Sequence, residues 1–364
     1  MTTPERTGLD PGVSMNRPVR VAFYGVGVIS SLIAKALLEK KGVQIVASID
    51  VADDKVGRDL GDILDLHQKL GVVVARDAET AFSKAKPDIV IHATSSNLNK
   101  VYPQINECIK AGINVVSTCE ELVYPYAKNR AIAEELDRFA KEHGVSVLGT
   151  GINPGFLMDV LPITATGPCL NVKRIKVTRM MNSGRRRIPY QKKIGTGLTE
   201  KEFREEIEKK SITGHVGLDT SISMIADALG WKLDDVVELP PQPILADRTT
   251  KTNYATVVKG LVAGLKSSAY GILSGERIIQ LEFVSHAGVE EEYDSVEIDG
   301  EPNIRLKIEG GVHGDIGTIA MIINSIPKVI NARPGLHTMN RLAIPSATPA
   351  ELNRYIESSP KEME

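Results

Sequence analysis

The sequence has almost no net charge: 44 Lys and Arg against 46 Asp and Glu leave −2 over 364 residues. A chain so balanced has no electrostatic reason to seek nucleic acid or an anionic membrane surface. No apolar run approaches the roughly 20 residues that a membrane-spanning helix needs, so a membrane partner is not expected either. Cysteine is scarce, with Cys108, Cys119 and Cys169 alone. An odd count without paired spacing supplies neither a disulfide framework nor a zinc signature, and the three thiols read as buried, inert groups. The seven histidines are scattered and none shows metal-ligand spacing, so no metal is expected. His92 and His337 fall in loops that a fold could bring to a cleft, and His215 and His313 fall in the second half of the chain. A core or surface role is the expectation for each. Internal repeats and low-complexity segments are missing. Unpaired thiols and an N-terminus without an apolar signal region favour the cytoplasm as the expected location. Residues 1–17 are polar with Pro and Gly and read as a disordered tail, with Met15 as a candidate start.

What is present is an ordinary globular balance, 42% apolar and 25% charged, with length for two domains. VRVAFY reads as a buried strand that breaks at Gly25 and Gly27. A helix follows with Ile29, Leu32, Ile33, Leu37 and Leu38 on one face. QIVASID is a second strand. Strand and helix patterns then alternate: VVVA, AETAFSKA, DIVIHATSS, NKVYPQINECIKAG, INVVST, AIAEELDRFAKEHG and VSVLGTG. The nearly all-apolar strands suit a parallel sheet buried on both faces, and right-handed crossovers make it doubly wound. The fold class is therefore α/β, a Rossmann-type N-terminal domain over 18–155.

After Gly155 the pattern changes. KRIKVTRMM, IIQLEFV and IRLKIE alternate charged and apolar residues, as half-exposed strands do. Asp299-Gly300 lies between VEI and IRLKIE and suggests a hairpin connection there. TEKEFREEIEKK and SISMIADALG read as helices. The expectation is an α+β domain over 156–314 with an open, mostly antiparallel sheet that binds substrate and pairs with a second subunit. The helix GDIGTIAMIINSIPKVI would return to the first domain, completing it over 315–347. Half-exposed strands leave edges that a partner can cover, so a homodimer is expected.

Gly25-Val26-Gly27-Val28-Ile29-Ser30 joins a strand to a helix. Two glycines permit a tight turn and close approach of the backbone to a pyrophosphate, and the helix start offers free N–H groups. Gly25, Gly27, Val28, Ile29 and Ser30 are thus candidate cofactor residues, with Ser30 standing where Gly or Ala is usual. A lone Gly-x-Gly can be a merely structural turn; the strand–turn–helix setting favours a dinucleotide. Asp50 ends the second strand where a carboxylate would accept the ribose 2′-OH and repel a 2′-phosphate, which argues for NAD. Lys55 and Arg58 follow closely and would offset that repulsion, so NAD and NADP both stay open, as does the reading of both cations as solvated loop charges.

Ligands bind an open α/β sheet beyond the carboxyl ends of its strands. Three loops belong there: HATSS at 92–96, which offers Thr94 and Ser95; STCEE at 117–121, with Glu120 and Glu121; and GTGINPGF at 149–156, with Asn153. Together with Pro334-Gly335-Leu336-His337-Thr338, the last two segments resemble the 2,4-diaminopentanoate dehydrogenases and the related native amine dehydrogenases. Dihydrodipicolinate reductases are more distantly similar. Their His-His-x-x-Lys-x-Asp and Pro-Ser-Gly-Thr segments do not occur here, which speaks against that activity. The likeness runs from about residue 18 to 345.

The resemblance implies reversible oxidative deamination of a primary amine, with NAD or NADP taking the hydride and a ketone and ammonia as products. A carboxylate can hold an ammonium by charge-assisted hydrogen bonds and manage its protons. Glu120 is the first candidate and Glu121 the second; either can instead be an ordinary first-turn helix carboxylate. Asn153 can bind the cofactor carboxamide or the substrate, or simply belong to an Asn-Pro-Gly turn. The run Arg185-Arg186-Arg187 reads as a solvated loop, with a contact to a substrate carboxylate as the alternative. Homoserine dehydrogenases carry a lysine after a strand like the one before Glu120, and the glutamate counts against that related activity. A non-catalytic NAD(P)-sensing protein is the remaining alternative.

Overall fold

The computed structural model describes residues 15–186 and 188–357. Residues 1–14 of the expected tail lie outside the described residues. The rest of that stretch is anchored rather than loose. Met15 is buried and its N–H donates to Ile356 O (3.0 Å), and Arg17 pairs with Asp88 at 2.7 Å.

Two compact units divide the chain: one runs to Gly151 and resumes at Gly317, and the other spans Ile152–Ile316. In the first, the order is β1 (Val19–Tyr24), α1 (Val28–Leu38), β2 (Val43–Ile49), α2 (Leu60–Ile63), β3 (Val74–Ala75), α3 (Ala78–Ala85), β4 (Ile89–His92), α4 (Leu98–Lys110), β5 (Asn114–Ser117), α5 (Glu120–Val123), α6 (Arg130–Glu142) and β6 (Ser146–Gly149). The second unit holds α7 (Val160–Ala165), β7 (Asn171–Asn182), α8 (Ile188–Lys193), α9 (Glu200–Glu208), α10 (Leu218–Leu229), β8 (Asp235–Glu238), β9 (Gln242–Leu245), a small pair β10 (Thr250–Lys251) and β11 (Thr256–Val257), then β12 (Val262–Leu273), β13 (Glu276–His286), β14 (Tyr293–Glu301) and β15 (Ile304–Glu309). Helix α11 (Gly314–Ile330) carries the chain back to the first unit, where β16 (Gly335–His337) follows.

The first sheet has the order β16-β6-β5-β4-β1-β2-β3 and is parallel throughout. Every residue of β4 and β6 is buried, the mark of a sheet covered on both faces. Helix α4 shows how the covering layer forms. Asn97 caps its start by accepting from Lys100 N, and Leu98, Val101, Ile105, Cys108 and Ile109 form one buried stripe at helical spacing. Each such aliphatic side chain contributes about 1.5–3 kcal/mol on burial. The strand order reverses direction between β1 and β4, so the loops after these two strands part and leave a crevice at their carboxyl ends.

The second sheet has the order β15-β14-β7-β13-β12-β8, with β9 also on β12; all pairs are antiparallel except β7 with β13. Its longest strand that lacks the expected alternation, β12, reads VAGLKSSAYGIL. Small residues are required there because a side chain at Gly264 would collide with the Ser285 carbonyl on β13. The hairpin expected at Asp299-Gly300 exists, but its turn falls at Pro302-Asn303. Gly300 instead marks a register shift in the pairing of β14 with β7, which continues to Glu301; glycine fits there because a Cβ would press on Asn171 O. Among the described residues, no helix is long and apolar enough to cross a membrane.

Candidate active site

The two glycines of the loop after β1 do different work. Gly25 has φ +89°, and a Cβ there would lie 2.7 Å from both Ala93 O and Thr94 Cγ2 of the loop after β4. Only glycine allows that approach. Gly27 has ordinary angles (φ −85°, ψ −172°), and a Cβ built on it meets nothing within 4 Å. The fold tolerates a side chain at Gly27, and the glycine leaves the space against the start of α1 open. That start carries no side-chain cap and no acidic residue in its first turn. Its first backbone bond closes from Ser31 N to Gly27 O (2.9 Å), so the N–H groups of Val28, Ile29 and Ser30 are the orphan donors of the helix end. An anion is favoured there by both donors and dipole. Ser30 serves the loop from within. It is buried, and its hydroxyl donates to Gly25 O at 2.6 Å.

Asp50 braces the same loop from the side. Its carboxylate accepts from Val26 N (2.8 Å), Ala52 N (2.9 Å) and Lys55 Nζ (3.1 Å). Burial alone would raise its pKa, but the N–H groups of Ala52 and Val26 and the Lys55 ammonium hold it below the ordinary carboxylate range. Three of roughly four acceptor sites are occupied, which leaves one for a ribose hydroxyl. Of the two expected cations only Lys55 reaches Asp50. Arg58 is exposed and turns back to Asp54 O (3.2 Å).

At the carboxyl ends of β4 and β5 the structure separates committed groups from free ones. His92 ends β4 rather than sitting in the loop. It is fully buried, with Nδ1 2.9 Å from Ser117 Oγ and Nε2 2.9 Å from Gln104 Oε1. Desolvation pushes its pKa down to about 4, so it is a neutral structural imidazole. Thr94 Oγ1 donates to Gln104 Oε1 (2.6 Å), and Ser95 Oγ accepts from Asn97 N (3.2 Å). Glu121 is engaged elsewhere. Its carboxylate accepts from Leu98 N (2.6 Å) and Asn97 Nδ2 (3.2 and 3.3 Å), and so caps the start of α4. Glu120, its neighbour, is half-buried at the first turn of α5 and has no hydrogen-bond or ion-pair partner among the described residues. The thiol beside it, Cys119, is fully buried and donates to Ser96 O (3.2 Å); burial pushes its pKa up to about 12, which keeps it inert. His337 lies in β16 and bonds Arg333 O (2.7 Å).

Asn153 belongs to the second unit. Its Nδ2 donates to His215 Nε2, while its Oδ1 is buried without a partner among the described residues. His215 stacks on Phe283 (centroids 4.4 Å, 15° between planes). Desolvation and the cations Arg179 and Lys193 push its pKa down to about 3, so it is a neutral acceptor. The turn around Asn153 is held by a carboxylate that the sequence reading did not single out. Asp159 is fully buried and accepts from Gly155 N (2.8 Å), Val160 N (2.7 Å) and Ser221 Oγ (2.8 Å). Burial pushes its pKa up against those three donors. Its only sequence signal was an acid five residues after Pro154. Among the described residues no group of three or more His, Cys, Asp and Glu is disposed to hold a metal ion.

Two family models match the chain. The model for the 2,4-diaminopentanoate dehydrogenase C-terminal domain matches residues 156–358, and that for the dihydrodipicolinate reductase N-terminus matches 19–122. The chain is similar to 2,4-diaminopentanoate dehydrogenase of Acetoanaerobium sticklandii, 36% identical over 94% of this chain and 98% of the relative. It is also similar to an amine dehydrogenase of Streptomyces virginiae, 24% identical over 88% and 94%. The solved amine dehydrogenase from Mycobacterium smegmatis superposes with a TM-score of 0.77 at 27% identity, covering 92% of this chain and 99% of that one. A crevice suited to a dinucleotide, a free carboxylate three residues past a strand end and a whole-length match to these relatives lead to one assignment: the chain belongs to the 2,4-diaminopentanoate dehydrogenase family and is an NAD(P)-dependent amine dehydrogenase.

Proposed function

We propose that the enzyme oxidatively deaminates 2,4-diaminopentanoate or a simpler alkyl amine, and aminates the matching ketone in reverse, with Glu120 as the catalytic carboxylate. The observation that carries this reading is the contrast between adjacent acids. Glu121 is consumed by the start of α4, whereas Glu120 keeps its full acceptor capacity at the carboxyl edge of the sheet. Glu120 holds the substrate ammonium and takes its proton, so that the nitrogen lone pair is free to assist loss of hydride from the adjacent carbon. The nicotinamide, when bound, supplies the hydride acceptor. Water then adds to the imine carbon while Glu120 relays its proton, and ammonia leaves. One protonated amine, one water and one oxidised cofactor give one ketone, one ammonium, one reduced cofactor and one proton.

The same reading gives the Rossmann-type unit to the cofactor, through Gly27, Val28, Ile29 and Asp50 with Thr94 and Ser95 lining the approach, and the second unit to substrate and to self-association as a homodimer. The ionised Asp50 favours NAD over NADP, and Lys55 narrows the margin. The protein acts in the cytoplasm on a small amine. A spectrophotometric panel tests the assignment: ketones and keto acids at high ammonia, with NADH and then NADPH. Loss of reduced cofactor that depends on ammonia supports it. Cofactor binding without turnover over the whole panel would point to a sensing protein instead.

A further inference from the structure

The Glu120 side chain is unpartnered among the described residues, but the turn around it is tied down. Ser117 O accepts from Thr150 N (2.9 Å), and Thr118 N donates to His92 O (3.0 Å). Cys119 Sγ and Glu121 N both donate to Ser96 O (3.2 and 3.3 Å). A further tie runs through buried side chains in series. Ser117 Oγ accepts from Cys119 N (3.1 Å), at the residue that opens α5, and lies 2.9 Å from His92 Nδ1. His92 Nε2 lies 2.9 Å from Gln104 Oε1, which also accepts from Thr94 Oγ1 (2.6 Å).

These atoms fix the direction of each proton. Gln104 Oε1 only accepts, so His92 Nε2 carries the hydrogen. A neutral imidazole has one N–H, and burial keeps this ring neutral. Nδ1 is therefore a lone pair, and the Ser117 hydroxyl donates to it while its oxygen accepts from Cys119 N. The opposite tautomer would set a lone pair against Gln104 Oε1. The ring is also held by packing. Tyr24, at the end of β1, lies against it (centroids 5.6 Å) and is itself anchored, its hydroxyl donating to Glu107 Oε2 (2.8 Å). A buried network with its members satisfied is rigid. One arm of this one ends at the start of α5, whose first residue is Glu120. The other ends at Thr94, in the loop after the neighbouring strand β4.

We infer that His92 is a positioning residue of the reaction: through Ser117 it fixes the start of α5, and with it the direction of Glu120, relative to the Thr94 loop. This rests on Glu120 as the catalytic carboxylate. A misplacement of about 1 Å can cost ~100-fold in rate, so a tie that touches the carboxylate only through its backbone still governs turnover.

Two near-isosteres separate the arms, because the amide of Asn reaches the place of Nδ1 and that of Gln the place of Nε2. The full-length enzyme oxidises 2,4-diaminopentanoate while reduced cofactor is followed. His92→Gln should lower kcat at least ~10-fold, with KM and NADH affinity changed less than ~2-fold. His92→Asn, whose amide oxygen can still accept from Ser117, should recover most of that loss. In a Glu120→Gln background His92→Gln should cost less than ~3-fold more, since the group it positions is gone. Asn and Gln equally slow, or a folded His92→Gln with wild-type kcat, overturns the proposal. Should His92→Gln not fold, Ser117→Ala cuts the same relay at the next link: the same loss of kcat at constant KM supports it, and wild-type kcat overturns it. Near-wild-type rates in Glu120→Gln alone sink the carboxylate reading, and the proposal with it. A slow Glu120→Gln in which His92→Gln still costs its full factor leaves the carboxylate standing and overturns the proposal alone. Nitrogen NMR of histidine-labelled enzyme needs no turnover: the Nε2–H tautomer at His92 supports the relay, and the Nδ1–H tautomer overturns it.

Discussion

At the carboxyl edge of the parallel sheet, the groups left without a partner are mostly backbone: the N–H groups of Val28, Ile29 and Ser30, beside the space at Gly27. In the second unit they are side-chain atoms among the described residues: Arg179 Nη1 and Asn153 Oδ1, beside the His215–Phe283 stack. A backbone site depends on where a helix begins and on which residues lack a Cβ. A side-chain site depends on strands far apart in sequence being held in register. Side-chain substitutions should therefore act on the second site directly, and on the first only where they fill space or alter the groups bracing the loop.

The largest break in that comparison is a side chain at the helix start. Gly27→Val should weaken NADH binding at least ~100-fold, or about 2.7 kcal/mol, with little change in melting temperature. Gly25→Val should instead lower the melting temperature, since it meets Ala93 O and forces a positive φ. Fluorescence titration and thermal melts distinguish the two. Reversal of these outcomes would mean that Gly27 serves the fold.

Both units share one burden, a neutral imidazole: His92 in the first, with a pKa pushed to about 4, and His215 in the second, pushed to about 3. Each folded pKa lies below the unfolded value of about 6.5, so the unfolded chain binds the extra protons as pH falls. Stability is full above about pH 6.5 and declines toward pH 4, by about 2 kcal/mol per histidine at pH 5. His92→Gln should flatten the acid arm of a denaturation series between pH 7 and 5. An unchanged slope would mean that His92 is not desolvated in solution.

Smaller still is the change expected from Asp50→Ser. Loss of the carboxylate should shift the NAD-to-NADP ratio of kcat/KM toward NADP by ~10-fold, about 1.4 kcal/mol. It also removes a brace on Val26 N, so some loss with both cofactors should accompany the shift. A loss that is equal for both would leave Asp50 a brace alone.

The first region was legible because its chemistry is local. Gly25, Gly27 and the helix start are contiguous, and Asp50 ends the next strand. Two roles still escaped the sequence. Ser30 ties the loop from inside, and Asp50 holds Val26 as well as offering a ribose acceptor, both through contacts that no spacing displays. Glu120 and Glu121 are adjacent and chemically identical, so only Asn97 and Leu98, more than twenty residues earlier, separate a cap from a free carboxylate. The second region was legible as alternating strands and little more. Strand β12 hid behind glycine and serine, and the turn expected at Asp299-Gly300 falls beyond a register shift at Gly300. Arg179 sat unnoticed in KRIKVTRMM, where a charged residue in an alternating strand ordinarily points to water. Nothing in that segment tells that this one points inward; the answer lies in β13 and β14 on either side.

The central claim is that one unpartnered carboxylate runs the proton chemistry of amine oxidation. Steady-state rates of Glu120→Gln and Glu121→Gln in both directions, with NADH affinity measured alongside, test it most directly. Glu120→Gln should lose at least ~100-fold in kcat at unchanged cofactor affinity, the scale of general acid–base help. Glu121→Gln should keep a near-normal kcat and lose about 1 kcal/mol of stability as a weakened cap. A folded Glu120→Gln enzyme with near-normal rates in both directions would contradict the account. If Glu121→Gln were then the slow one, the catalytic role would pass to Glu121.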